Sequence, residues 1–164
     1  MTRFPDGFDV HGPVLAEVFV VWLAGDHVEL TGPCGPAPWL HEIGAADHPV
    51  DVVTRIVGDV IGDPLLVHST SWRRDRDAVI LSFVAVIDRS LVGSMVSLPI
   101  ERSALARGKA TAAPQEIATM QVVEHGLRHM AWLAVDDPVV AAELTEGWQA
   151  LLATYLPEPF RNLG

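Results

Sequence analysis

The amino-acid sequence predicts an α/β fold of the α+β kind, a mixed β-sheet lying between helices. Three observations carry that prediction. The stretch VILSFVAVI (79–87) is apolar on both of its alternating faces apart from Ser82, as a central strand covered on both sides must be. In the stretch 39–63, Val52, Val53, Ile56, Val57 and Val60 form one apolar stripe along a helix of about three turns. Two further amphipathic segments close the chain and can cover the sheet's other face.

The elements follow in order. Residues 1–12 are turn-rich and are expected to form an irregular arm. PVLAEVFVVWLA (13–24) reads as a largely buried strand, β-rich from Phe19 to Leu23 and interrupted only by Glu17. Gly25-Asp26 is a turn signal, so 27–30 can return as an antiparallel partner. TGPCGPAP (31–38) is too rich in Gly and Pro for regular structure, and it leads through a short loop from Trp39 into the helix. Asp47-His48-Pro49 starts that helix, with an acid or His48 just outside and Pro49 in the first turn, where its missing N–H costs nothing. Gly62-Asp63-Pro64 stops it.

LLVHSTSWR (65–73) alternates, with Leu66, His68, Thr70 and Trp72 expected to share one face. It pairs with 78–88 across a charged turn, Arg74-Asp75-Arg76-Asp77. SMVSLPI (94–100) reads as a short edge strand, since Pro99 suits an edge. After a small, polar stretch (103–113), a helix over 114–135 places Met120, Val123, Leu127, Met130, Ala131 and Ala134 on one face. Gln121, Glu124, His125, Arg128 and His129 lie on the other, with Trp132 near them. Asp137-Pro138 then opens a last helix, whose stripe runs from Val140 and Leu144 through Trp148 and Leu152 to Tyr155.

At 164 residues, the chain is expected to be one domain spanning 1–164, large enough to fold alone. Nearly half of it is hydrophobic, slightly rich for a monomer, which is compatible with a homodimer. A net charge of −10 argues against nucleic-acid binding, since phosphate backbones require clustered Lys and Arg. The exception is 73–109, where Arg73, Arg74, Arg76, Arg89, Arg102, Arg107 and Lys109 outnumber the acids. The plainer reading of that stretch is a solvated turn and loop; the sharper one is a patch for a small phosphorylated ligand. No membrane span, no apolar signal core and one lone cysteine, Cys34, make a reduced cytoplasmic setting the expectation.

The stretch 39–62 resembles the Nudix box of the Nudix hydrolases, G-x5-E-x7-R-E-U-x-E-E-x-G-U with U bulky and aliphatic. Aligned on Gly62, Arg55 matches the pattern's arginine, Val57 its aliphatic position and Asp59 the first acid of the E-E pair. Asp47 stands where the pattern has its upstream glutamate, Trp39-Leu40 is similar to the W-x-L that precedes the loop, and a hairpin follows the box. The resemblance implies a Nudix-like three-layer sandwich, and an activity in which Mg²⁺ or Mn²⁺ held by box glutamates assists hydrolysis of a diphosphate.

The departures fall on that chemistry. The remaining glutamate positions of the box helix are Ile56 and Val60, leaving only Asp59, and a hard divalent cation needs several oxygen ligands. The reading favoured is therefore a degenerate box on a retained scaffold. Such a domain would bind a nucleotide or phosphorylated metabolite, or serve interaction, without hydrolysis and with no cofactor expected. The ligand contacts expected are Arg55, Arg102, Arg107, His125, Arg128, Trp72 and Trp132. The alternative is a divergent hydrolase with a metal site rebuilt from Asp59 with Asp47, Glu42 or Glu124.

Two other constellations are weaker. His125 and His129 stand one helical turn apart and could share a transition metal, but zinc needs a third ligand for which no spacing is fixed. A polar helix face explains the pair more simply. His68 and Ser69 point to opposite faces of a strand, so a Ser–His dyad is excluded, and a hydrogen-bonded, half-buried His68 is expected instead.

Overall fold

The computed structural model describes residues 12–100 and 119–155. The expected arm over 1–12 lies outside them save for Gly12, as do Arg102, Arg107 and the first residues of the helix expected from 114.

The longest strand, β1 (Val14–Ala24), organises the sheet. Along one edge it runs parallel to β5 (Ala78–Val86), with Val14 opposite Val79 and Val21 opposite Val86. Two shorter antiparallel strands share its other edge: β2 (His27–Thr31) along Val20–Ala24, and β3 (Trp39–Ile43) along Val14–Val18. β4 (Leu66–Asp75) pairs with the far side of β5, and β6 (Leu98–Pro99) with the far side of β2. The order is β4-β5-β1-β2-β6, a mixed sheet with β3 beside β2 on the β1 edge.

Helices cover both faces, and the alternation of β1 and β5 decides which residue meets which layer. Ala16, Val18, Val20, Phe83, Ala85 and Ile87 pack against Val52, Val53, Ile56 and Val57 of α1 (Pro49–Val60). Phe19, Val21, Val84 and Val86 pack against α2 (Thr119–Asp136), chiefly Val123, Leu127 and Met130. α3 (Pro138–Glu143) and α4 (Glu146–Leu152) follow α2 in the same layer, and this part of the chain delivers Leu144, Trp148 and Leu152 to the same core. Each fully buried side chain of this size contributes ~2 kcal/mol. The molecule is an α/β sandwich of three layers, as the double-sided burial of β5 requires.

Several expectations need correction. Residues 39–43 are a strand and no loop: Trp39 and Ile43 turn to the α1 layer while Leu40 and Glu42 turn away, an alternation that WLHEI shows only in part. Val60 has the phase of the buried stripe but is 55% exposed. It is the last residue of α1, and periodicity fixes rotation about a helix without fixing where the layer beneath it ends. The strand expected over 94–100 is only two residues long, and a short 3-10 turn at Arg89–Leu91 precedes it.

The charged turn tightens to Arg76-Asp77, with Arg76 at φ +56. A bulge between Ser69 and Ser71 sets Thr70 and Ser71 together against Ser82, so Trp72 pairs with Leu81 and leaves the face it was expected to share with His68. The last helix is two: Thr145 leaves helical geometry and caps α4 through Trp148 N.

The start of α3 is as expected. Asp137 Oδ1 accepts the N–H groups of Val139 at 2.8 Å and Val140 at 3.3 Å, with Pro138 in the first turn. Asp137→Ala is expected to cost about 1 kcal/mol, seen as a lower urea midpoint at unchanged slope.

Candidate functional site

The candidate acids of a rebuilt metal site do not converge. Asp59 is exposed on α1, and Ile56 beside it is packed into the core. Asp47 is exposed and accepts the N–H of Gly44 at 3.1 Å, closing the turn before α1. Glu42 projects from the face of β3 opposite to Ile43, away from the α1 layer. Glu124 lies on α2, behind the sheet, 2% exposed and bonded by Arg128 Nη2 at 2.7 Å. A sheet therefore stands between Asp59 and both glutamates, which corrects the expectation that they could share one cation. Glu124, expected on the polar face of α2, is buried there.

The ligand-contact candidates divide the same way. Arg55 is exposed on α1, and Trp72, 72% exposed, takes the α1-facing side of β4. His125, Arg128 and Trp132 sit on α2, on the opposite side of the sheet. One small molecule cannot touch both groups.

What the fold does bring together is a polar seam where α2 crosses β4 and β5. A Cβ built at Gly126 would come within 2.7 Å of Val84 Cγ2 and 2.8 Å of Thr70 Cγ2, so the helix backbone rests directly on these two sheet side chains. One turn further on, His129 Nδ1 lies 2.8 Å from Nε2 of His68 on β4, a hydrogen bond across 61 positions of sequence. The two rings meet edge-on at 4.6 Å, and Trp132 stacks on His129 with its ring centroid 5.5 Å away and 4° from parallel. Burial, and then the charge of His129, pull the His68 pKa from 6.5 down to about 4. The half-buried, hydrogen-bonded strand histidine expected from the sequence is found.

On the same face of the sheet, toward the start of β1, a second buried network crosses three strands. Glu17 is 6% exposed and receives both guanidinium nitrogens of Arg73, at 2.6 and 2.7 Å. Ser82 Oγ donates to Glu17 Oε2 at 3.0 Å. The bidentate bond holds Arg73 still more firmly in its charged form. Arg73 is thereby withdrawn from the positive patch, and Arg89 is drawn over the ring of Trp22, 6.0 Å from its centroid. This network was missed in the sequence, although Glu17 and Ser82 are the lone polar residues of two otherwise buried strands. A polar group buried in such a strand must find a partner; that demand was the available signal.

His129 is engaged with His68 and Trp132, and among the described residues no group of three or more His, Cys, Asp or Glu side chains could hold a metal ion. A cleft of about 500 Å³ opens between residues 32–36, which include the exposed Cys34, and residues 94–96. Among the described residues that line it, none carries a charged side chain. Among the described residues, no helix is long and apolar enough to cross a membrane. No family model matches the chain, and no curated protein matches it.

Proposed function

We propose that this chain is a Nudix-like domain that no longer hydrolyses diphosphates and instead binds a small phosphorylated ligand, such as a nucleotide, on the α2 side of its sheet. The observation that carries this reading is the state of α1. The helix that resembles the box retains Asp59 alone, Ile56 is buried at 8% exposure among the core residues, and Glu42 and Glu124 lie across the sheet. A hard cation bridging a diphosphate needs several oxygen ligands converging on one point, and of the box positions on this helix only Asp59 carries a carboxylate. For binding, the α2 side carries the stacked pair His129–Trp132 and the imidazole of His125, with the guanidinium of Arg128 held beside them by Glu124, a combination that supports an anion attached to a flat ring.

Purified protein, incubated with nucleoside diphosphate derivatives and Mg²⁺ or Mn²⁺, is expected to release no phosphate. Asp59→Asn is expected to shift Tm by less than about 1 °C, as befits an exposed residue without a structural bond. Calorimetry against the same compounds without metal is expected to find a ligand whose binding weakens roughly tenfold in Trp132→Leu, a loss of about 1.4 kcal/mol. Metal-dependent turnover abolished by Asp59→Asn would overturn the reading in favour of the divergent hydrolase.

A further inference from the structure

We propose that the His68–His129 hydrogen bond is an acid-released latch holding the edge strand β4 against α2. An imidazole–imidazole bond needs one ring nitrogen carrying a proton and one offering a lone pair. With both rings neutral, or with one cationic ring donating to its neutral neighbour, the 2.8 Å contact between His68 Nε2 and His129 Nδ1 holds. With both rings protonated, two N–H groups and two like charges face each other at that distance, and no acceptor remains. The contact thus has two holding states and one repelling state, and only the second proton separates them.

Among the described residues, these groups surround the two rings. β5 sets the uncharged Val84 opposite His68. Among the charged groups nearest on β4 and β1, Arg73 and Glu17 are bonded to each other. On α2, Arg128 bonds Glu124, and His125 stands one turn before His129. α3 and α4 turn Leu144, Trp148 and Leu152 to the α2 core, and the phenol of Tyr155 follows them. Among the described residues, no carboxylate bonds to His68 to favour its cation.

The sign of the effect follows. A histidine in the unfolded chain takes its proton near pH 6.5, and burial with the His129 charge delays that of His68 to about 4. Between those values the open or unfolded chain binds more protons, so the closed seam loses stability as the pH falls through this window. β4 is the part that yields, because one of its edges is bonded to β5 and no described strand pairs with the other.

The test is amide hydrogen exchange at pH 7 and pH 4, corrected for the intrinsic rate, together with NMR titration of the His68 ring. Protection along β4 and the second half of α2 is expected to fall on the order of tenfold more than protection along β1 at acid pH. In His68→Gln, where an amide can still donate to His129 Nδ1 but does not titrate in this range, the extra loss is expected to vanish. The proposal is overturned if His68 titrates near 6.5 in the wild type. It is equally overturned if β1, β4 and α2 lose protection together, or if the glutamine variant shows the same acid response. Should the variant fail to fold, the His68 titration in the wild-type chain decides alone.

Discussion

Arg73→Ala is expected to lower folding stability by about 3 kcal/mol, and most of that loss is expected to return in the double variant Glu17→Leu/Arg73→Ala. The reason lies in which partner is buried. Glu17 is 6% exposed in the middle of β1, whereas the Arg73 side chain, at 36%, reaches the sheet from its edge strand. Removing the arginine strands a buried carboxylate within the sheet, with Ser82 as its one remaining donor among the described residues, and the desolvation cost of that charge is then uncompensated. Removing the carboxylate as well leaves an apolar side chain where neighbouring positions of β1 are already apolar. Urea denaturation of the four variants measures the coupling as a double-mutant cycle. If the two single losses simply add, the bidentate pair is a surface contact and the buried network has no energetic meaning.

That pair also marks where sequence ceased to specify structure. Short-range signals were legible: β1 and β5 from unbroken apolar runs, α1 from its stripe and Pro49, and α3 from Asp137-Pro138. Each depends on residues within about one turn or one strand of each other, where periodicity and capping act. The seam was not legible because its contacts are long-range. Glu17 meets Arg73 across 56 positions and His68 meets His129 across 61, and no local rule selects such partners. The bulge at Thr70 adds a subtler failure. One inserted residue reverses the faces of everything after it, which frees Arg73 to turn toward Glu17 and sends Trp72 to the other side of the sheet. Alternation read through the bulge therefore placed Trp72 beside His68, with which it shares no face.

The box-like helix gives the converse lesson. Its sequence departures, Ile56 and Val60, read alike on a helical wheel, yet one is 8% exposed and the other 55%. Only Ile56 is held by the core. A carboxylate placed at position 60 would thus lie at the surface without disturbing packing, whereas one placed at position 56 would be buried among Val52, Val53 and Val57. The core thus excludes an acid at Ile56 and not at Val60, an asymmetry that supports the proposed binding role over a hydrolytic one.

The second large effect belongs to the close approach of α2 to the sheet. Gly126→Val is expected to cost about 3 kcal/mol, even though glycine is a poor helix former and its replacement within a helix ordinarily recovers part of 1 kcal/mol. A Cβ there would come within 2.7 Å of Val84 Cγ2 and 2.8 Å of Thr70 Cγ2, both on stiff β-branched side chains that have no alternative rotamer to retreat into cheaply. Relief must come from lifting α2, which stretches the 2.8 Å His68–His129 bond one turn away. The compensating change is Thr70→Ser, because it deletes the offending methyl while keeping the hydroxyl that donates to Ser82 O at 3.2 Å. Thermal denaturation of Gly126→Val, Thr70→Ser and the double variant is expected to show partial rescue in the double. Equal Tm values for Gly126→Val with and without Thr70→Ser would mean that Val84 alone sets the distance between helix and sheet, and that Thr70, though bulged toward the helix, does not bear on it.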